Sequence, residues 1–233
     1  ENCAIEPEIM DLINFLSKLG VKIKIRGRKI SIKGSIQEKK ISHRIICDRI
    51  ELGTYLIGGA LIGSKLKLMN TDWKIIKKEI NILKKMGVKM KIGQNFIEVY
   101  KTKNIKNINI KTEPYPGFPT DLQAQIIILM TQAKGLSKIK ESIFENRFMH
   151  VAELRRLGAK IIIKENKAII EGNTEFLAAE LMSSDLRASV ALVLAAMVAK
   201  GQSVINRIYH LDRGYEKIEN KLRKIGVNIK RLS

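Results

Sequence analysis

The sequence predicts an α/β fold made of repeated βαβαββ units, in which the first helix of each unit is buried. Three observations support this fold class: a short motif that returns at nearly constant spacing, a change of apolar periodicity within each copy, and strongly apolar segments upstream of the later copies. Each copy contains a pivot glycine, and successive glycines lie 67, 71 and 68 residues apart by subtraction of their numbers. A repeat this regular indicates that one supersecondary unit is copied along the chain. The pivot glycines are Gly20, Gly87, Gly158 and Gly226.

Each copy begins with a segment that has the pattern of an amphipathic helix. A leucine stands four positions before the glycine and another apolar residue stands one position before it, which places both on one helical face. Charged residues fill the opposite face. The glycine is predicted to end the helix, because a left-handed backbone favours glycine there. The leucines are Leu16, Leu83, Leu154 and Leu222.

After each pivot glycine the apolar period changes from that of a helix to two. In the first copy Val21, Ile23 and Ile25 alternate with Lys22 and Lys24. This alternation is typical of a half-buried strand. A short turn and a second alternating segment follow in the first three copies, so each is predicted to end in a β-hairpin. The second strands are predicted at 30–33, 96–99 and 168–171.

The segments upstream of the later copies, residues 50–62, 122–131 and 186–199, are apolar on most sides and rich in alanine or glycine. A helix that is apolar all round is a buried helix. The longest uninterrupted stretch, 188–199, is shorter than the roughly 20 residues that cross a bilayer, so no membrane association is predicted and a cytoplasmic location is expected. Each segment follows an acidic residue and precedes a glycine and a strand. The acids are Asp48, Asp121 and Asp185.

The repeats also predict the domain organisation. Three nearly complete units are expected to form one domain over residues 46–233. Residues 1–45 carry only the end of a fourth unit and are predicted to belong to a neighbouring domain.

The chain is strongly basic, with 43 Lys and Arg against 23 Asp and Glu and a formal charge of +20. A basic chain can bind nucleic acid. However, the lysines occupy solvent faces in every copy, and aromatic residues, which stack on bases, make up only 5%. We therefore expect no nucleic-acid partner, and a small anionic substrate would also suit the charge. The two cysteines, Cys3 and Cys47, have no metal-binding spacing.

The segment 114–121 is the most distinctive local feature. It holds three of the four prolines and is therefore a stiff, extended loop that delivers Asp121 to the start of a buried helix. Two interpretations of this aspartate remain open. It is either a functional carboxylate or a helix N-cap, and Asp48 and Asp185 at comparable places favour the cap.

Two other loops carry acid and arginine together, at 144–150 and 209–215. An arginine ahead of a helix N-terminus favours anion binding. For Arg147 we consider a structural ion pair with a glutamate equally plausible.

Four long segments carry a family resemblance: YPGFPTDLQAQ (115–125), IFENRFMHVAELRRLGA (143–159), SDLRAS (184–189) and RIYHLDRGYEKIENKLRKIGV (207–227). In this order they resemble the UDP-N-acetylglucosamine 1-carboxyvinyltransferases, a family of enolpyruvyl transferases. The resemblance implies a two-domain enzyme of six such units, with an inside-out α/β barrel around central helices in each domain and the active site in the cleft.

The same resemblance implies a reaction. The family transfers the enolpyruvyl group of phosphoenolpyruvate to the 3′-hydroxyl of UDP-N-acetylglucosamine and releases phosphate, without a metal or cofactor. This is the first committed step of peptidoglycan synthesis, and so serves cell wall biogenesis, cell shape and cell division.

Site residues follow from the resemblance by position. Asp121 matches the carboxylate that binds the 3′-hydroxyl and is its candidate general base. Ile143 matches a nucleotide-sugar contact made through the backbone, and Arg187 and Arg213 match the arginines that hold phosphoenolpyruvate. Candidates of second rank are Phe144, Arg147 and Asp185.

The resemblance covers about the C-terminal half of the family's sequence. The family's flexible cysteine loop matches neither Cys3 nor Cys47, and most uridine-binding residues have no counterpart. We therefore expect the chain to act with a missing N-terminal half and to be inactive alone. Two alternatives stay open: a basic repeat protein that binds nucleic acid, and a non-catalytic relative with the same fold.

Overall fold

The computed structural model describes residues 1–34 and 40–232 and shows a mixed α/β fold in which helices and strands alternate. The helices are α1 (Pro7–Lys18), α2 (Arg49–Leu61), α3 (Lys77–Lys85), α4 (Gln123–Thr131), α5 (His150–Arg156), α6 (Leu186–Val198) and α7 (Ile218–Lys224). The strands are β1 (Lys22–Arg26), β2 (Lys29–Lys33), β3 (Lys65–Met69), β4 (Met90–Ile92), β5 (Phe96–Tyr100), β6 (Asn109–Lys111), β7 (Leu136–Lys140), β8 (Ile161–Lys164), β9 (Lys167–Glu171), β10 (Glu180–Met182) and β11 (Val204–Asn206). Short 3-10 helices form at Trp73–Ile76, Thr120–Leu122 and Ile208–Arg213.

The pivot glycines end the amphipathic helices as predicted. Gly20, Gly87, Gly158 and Gly226 have φ values of 93°, 89°, 106° and 92°, which is the left-handed region. A residue with a β-carbon is strained in this conformation, so glycine is required where the chain leaves each helix and turns back.

The predicted hairpins form after three of the four copies. β1 pairs with β2, β4 with β5 and β8 with β9, all antiparallel. Within the described residues no strand follows α7.

The strands form four separate sheets, ordered β1-β2, β3-β5-β4, β6-β7-β9-β8 and β10-β11. The pairs β6–β7 and β10–β11 are parallel, and each is joined across a buried helix, α4 or α6. A parallel pair needs such a crossover connection, which explains why the buried helix lies between these strands in sequence. In the unit of α2, residues 40–48 form no strand ahead of the helix.

The three helices that were predicted to be buried lie at the centre. Every residue of α4 is buried, as are ten residues of α2 and eight of α6. They pack against one another, and the sheets and amphipathic helices lie outside them. The prediction of central helices is therefore confirmed. Closure of the strands into a barrel is not seen in the described part of the chain, because the sheets are not hydrogen-bonded to one another.

None of the helices in the described residues has both the length and the apolar character needed to cross a bilayer. The same residues contain no cluster of three or more His, Cys, Asp or Glu side chains placed to hold a metal ion.

Candidate functional site

Asp121 does not cap a helix, whereas the two aspartates at comparable places do. Asp48 accepts hydrogen bonds from the backbone N–H groups of Ile50 and Glu51, and Asp185 accepts them from Arg187 and Ala188. Asp121 lies inside the 3-10 helix Thr120–Leu122, and neither that helix nor α4 has a side-chain cap. A residue inside a helical turn does not have the extended backbone of an N-cap, so its carboxylate is free to point elsewhere.

The Asp121 carboxylate instead lies between two arginines. Its Oδ1 accepts a hydrogen bond from Arg147 Nη2 at 2.6 Å, and its Oδ2 accepts one from Arg187 Nη2 at 2.7 Å. The side chains are 35%, 25% and 20% exposed for Asp121, Arg147 and Arg187, so the group lies at the surface yet is partly enclosed. Burial lowers the pKa of Arg187, but the hydrogen bond and charge of Asp121 outweigh it and raise that pKa above its ordinary value. The Arg187 guanidinium therefore stays charged beside Asp121.

Three separate elements bring this group together. Asp121 arrives on the proline loop, Arg147 on the loop before α5, and Arg187 in the first turn of α6. The structural ion pair considered for Arg147 involves Asp121 rather than a glutamate. The Phe144 ring packs on the Arg147 guanidinium, with 5.1 Å from Cζ to the ring centroid, and is itself exposed.

Arg213 lies near this group but does not contact it. It ends the 3-10 helix Ile208–Arg213, which packs against α6. The neighbouring Gly214 lies so close to Leu186 that a β-carbon would come within 2.9 Å of its Cδ2. This places Arg213 beside the end of α6 that carries Arg187. Its side chain is exposed and makes no ion pair with the described residues, so this cation is available at the edge of the site.

Asp185 serves mainly to start α6. Burial raises the pKa of its carboxyl, but hydrogen bonds from the Ala188 and Arg187 backbone and from the Ser184 hydroxyl, together with the Arg147 charge, hold that pKa below its ordinary value. The carboxylate therefore stays ionised and fixes the backbone from which the Arg187 side chain projects.

Ile143 presents its carbonyl rather than its N–H. The N–H donates to Glu141 Oε1 at 2.8 Å, whereas the carbonyl oxygen accepts no hydrogen bond from the residues that the structure describes. The side chains of Ile143 and Phe144 are exposed, and the Phe144 ring lies against Arg147 of the Asp121 group. The predicted backbone contact thus has an unoccupied acceptor.

A buried polar network below the site was missed by the sequence analysis. Thr54 of α2 donates its only hydroxyl hydrogen to the Ile50 carbonyl and accepts from Tyr215 Oη at 2.8 Å and from Gln125 Nε2 at 3.2 Å. The same Gln125 amide donates to the Asp121 carbonyl at 3.0 Å. Burial raises the pKa of Tyr215, so its hydroxyl stays protonated and can donate. The network ties the Asp121 backbone to the centre of the three helices.

Glu141 was also missed. It directly follows β7 and is almost fully buried, at 2% exposure. The available signal was the period of two: Ser137, Ile139 and Glu141 share one face of this segment, and the first two are buried as well.

The proline loop is also held by residues 1–34 and by the start of α2. Arg28 Nη2 donates to the Tyr115 carbonyl at 3.3 Å, and the Arg49 guanidinium lies 6.0 Å from the centroid of the Tyr115 ring. Arg49 in turn pairs with Glu8 of α1 at 2.8 Å. Glu8 therefore helps to hold Arg49 beside the proline loop.

The chain is similar to known proteins over its whole described length. Residues 1–222 match the family model of EPSP synthase (3-phosphoshikimate 1-carboxyvinyltransferase). The chain is 60% identical over 233 residues to a UDP-N-acetylglucosamine 1-carboxyvinyltransferase of Pelagibacter ubique, and the alignment covers all of this chain and 56% of the relative. It is 48% identical to an enzyme of the same name from Koribacter versatilis, covering all of this chain and 54% of that one.

Among solved structures, the enolpyruvyl transferase NikO from Streptomyces tendae superimposes with a TM-score of 0.89 at 26% sequence identity. The superposition covers 99% of this chain and 55% of NikO. The chain thus spans about half the length of the curated relatives it matches.

Proposed function

Since the chain belongs to the EPSP synthase family of enolpyruvyl transferases, we propose that it forms part of a UDP-N-acetylglucosamine 1-carboxyvinyltransferase. The observation that carries this proposal is the Asp121 carboxylate, which caps no helix and lies between Arg147 and Arg187. A carboxylate beside cations suits a reaction that removes a proton from a neutral hydroxyl next to an anionic co-substrate.

Asp121 acts on the sugar in this proposal. Its carboxylate accepts the proton of the 3′-hydroxyl while the hydroxyl oxygen bonds to C2 of phosphoenolpyruvate and C3 gains a proton. Elimination then breaks the bond from C2 to the phosphate oxygen, C3 loses a proton, and inorganic phosphate leaves. The product is the enolpyruvyl ether of the sugar.

Arg187 and Arg213 bind the carboxylate and phosphate oxygens of phosphoenolpyruvate, for which planar guanidinium groups are well suited. Because Arg187 is paired with Asp121, the incoming anion competes with Asp121 for the Arg187 guanidinium. Binding of phosphoenolpyruvate therefore frees an Asp121 oxygen for the sugar hydroxyl. Arg147 remains on the other carboxylate oxygen and keeps it oriented.

The free carbonyl of Ile143 accepts a hydrogen bond from the nucleotide sugar, and the exposed Phe144 ring gives it an apolar surface. Both residues lie on the loop that also carries Arg147. The sugar subsite therefore lies between this loop and Asp121.

The domain organisation is part of the same proposal. Residues 46–233 form a three-unit domain whose central helices and outer sheets close into an inside-out barrel in the complete protein, and residues 1–45 belong to the neighbouring domain. The remaining half of the enzyme supplies the other wall of the cleft. The enzyme works in the cytoplasm, in peptidoglycan synthesis.

The test measures phosphate release by the complete native polypeptide with phosphoenolpyruvate and either UDP-N-acetylglucosamine or 3-phosphoshikimate as acceptor. We expect the complete polypeptide to release phosphate with the nucleotide sugar and not with 3-phosphoshikimate. Residues 1–233 by themselves should release no phosphate with either acceptor. Release with 3-phosphoshikimate and not with the nucleotide sugar would overturn the proposed substrate. Release with neither acceptor would favour a non-catalytic relative.

A further inference from the structure

Glu141 is a buried acidic side chain for which the reaction has no direct use. It is 2% exposed, and no lysine or arginine of the described residues pairs with it. A buried carboxylate costs several kcal/mol unless hydrogen-bond donors replace the lost water. A carboxylate held in this way keeps the donors around it in fixed positions.

Four donors surround this carboxylate. Oε1 accepts from the Thr112 hydroxyl at 2.7 Å and from the backbone N–H groups of Ile143 and Phe144 at 2.8 and 3.3 Å. Oε2 accepts from the Thr120 hydroxyl at 2.9 Å. The Ser142 N–H also donates to the Thr112 hydroxyl at 2.9 Å, so Thr112 is bound both to Glu141 and to the residue that follows it.

The donors come from the two segments that flank the sugar subsite. Thr120 immediately precedes Asp121, the carboxylate assigned to the 3′-hydroxyl. Ile143 offers the free carbonyl, and the Phe144 N–H of the same peptide unit donates to Glu141. One buried group therefore sets the separation between the base and the backbone acceptor.

We propose that Glu141 is a positioning residue that fixes Asp121 and the Ile143 carbonyl at the spacing required by the nucleotide sugar. This inference rests on the proposed function. It predicts that the two subsites respond differently to loss of Glu141. Arg187 and Arg213 project from α6 and from the 3-10 helix beside it, and neither element donates a hydrogen bond to Glu141. Loss of Glu141 should therefore disturb the sugar subsite directly and affect the phosphoenolpyruvate subsite only weakly, through the Asp121–Arg187 pair.

The experiment compares variants of the complete native polypeptide by their KM for each substrate and their kcat. For Glu141→Ala we expect the KM for UDP-N-acetylglucosamine to rise about 10- to 100-fold and kcat to fall about tenfold, since displacement by about 1 Å can cost a factor of 100. The KM for phosphoenolpyruvate should stay within about threefold of wild type, as expected for a contact outside that subsite. Glu141→Gln should recover most of the loss, because its amide oxygen can keep the three bonds now made to Oε1 and the Thr120 hydroxyl can turn to accept.

Glu153 offers a matched control. It is a carboxylate on α5 that accepts the Met182 N–H at 2.9 Å and pairs with Arg156 at 3.3 Å, and within the described residues it makes no hydrogen bond to residues 112–121 or 142–144. Glu153→Ala should leave the ratio of the two KM values unchanged. A milder variant, Thr120→Val, removes one of the four hydrogen bonds and keeps Glu141, so it tests the inference if Glu141→Ala does not fold. Its KM for UDP-N-acetylglucosamine should rise about 3- to 10-fold, which corresponds to the loss of one buried hydrogen bond.

The outcomes separate the two levels of the proposal. Equal rises of both KM values in Glu141→Ala, or unchanged sugar KM values in both Glu141→Ala and Thr120→Val, would overturn the role of Glu141 alone. Absence of sugar-dependent phosphate release in the wild type would overturn the proposed function, and the role of Glu141 with it.

Discussion

Replacing Asp121 by alanine separates a functional carboxylate from a structural one. The side chain makes no cap hydrogen bond, so the variant loses only the two ion pairs with Arg147 and Arg187. Because all three side chains are partly exposed, each pair contributes about 0.2–1 kcal/mol. The free energy of unfolding should therefore fall by about 1 kcal/mol, and the melting temperature by about 2–4 °C for a chain of this size.

The expected loss of activity is much larger than the loss of stability. A positioned general base typically contributes a factor of about 100 to 10,000 to turnover. The initial rate of phosphate release by the complete polypeptide measures this factor, and denaturant unfolding measures the stability. Asp121→Asn, which keeps the shape and removes the charge, should behave like Asp121→Ala in turnover.

Asp48→Ala supplies the comparison for stability. Asp48 accepts the Ile50 and Glu51 N–H groups at 2.7 and 3.0 Å, and losing an N-cap of this kind costs about 0.5–2 kcal/mol. The reasoning is refuted if Asp121→Ala loses at least as much stability as Asp48→Ala and keeps turnover within about tenfold of wild type. Asp121 would then be a structural residue.

Two further predictions concern the buried groups around the site. Burial holds the pKa of His150 at about 4, below the 6.5 of an exposed histidine, so the unfolded chain binds a proton that the folded chain excludes. Stability from this group is complete above pH 6.5 and should fall by roughly 3 kcal/mol as pH drops to about 4; the lowered pKa of Asp185 acts in the same direction. Urea unfolding of wild type and His150→Phe at pH 7, 5.5 and 4.5 measures how the free energy of unfolding changes with pH. This free energy should fall less steeply with decreasing pH in His150→Phe. The same dependence on pH in both proteins would contradict the lowered pKa of His150. Thr54→Val removes the acceptor of both the Tyr215 hydroxyl and the Gln125 amide, so it should lower the free energy of unfolding by about 2–5 kcal/mol in denaturant unfolding. Tyr215→Phe should lower it by only about 1 kcal/mol. Equal losses of stability for the two variants would show that Thr54 is not the centre of the network.

The parts of the fold that the sequence predicted are those with a local signal. The pivot glycines have positive φ because a helix must end and reverse within a few residues, and only glycine adopts that backbone freely. The helices α2, α4 and α6 were identified because burial on every side leaves an apolar composition with no polar face. Closure of the sheets depends on contacts between distant residues, and no local pattern encodes it.

The site was only partly accessible from the sequence. An acid ahead of an apolar helix looks the same whether it caps the helix or not. The outcome at Asp121 depends on the additional 3-10 turn, Thr120–Leu122, which removes the extended backbone that a cap requires. The resemblance gave Arg187 and Arg147, which the structure brings to Asp121, and Arg213, which it places nearby without a contact. Glu141 and Thr54 were missed because single polar residues in apolar segments carry no sign of their partners.

The central position of α2, α4 and α6 has a consequence for biosynthesis. Since α2 ends at Leu61 and α6 at Val198, 137 residues separate the two ends by subtraction, and α2 leaves the ribosome long before its last packing partner exists. At a translation rate of about 5–20 residues per second, this interval is about 7–30 s. During that time this apolar helix lacks part of its final surroundings, so the nascent chain is prone to aggregation except where α2 already packs against β3 and β5.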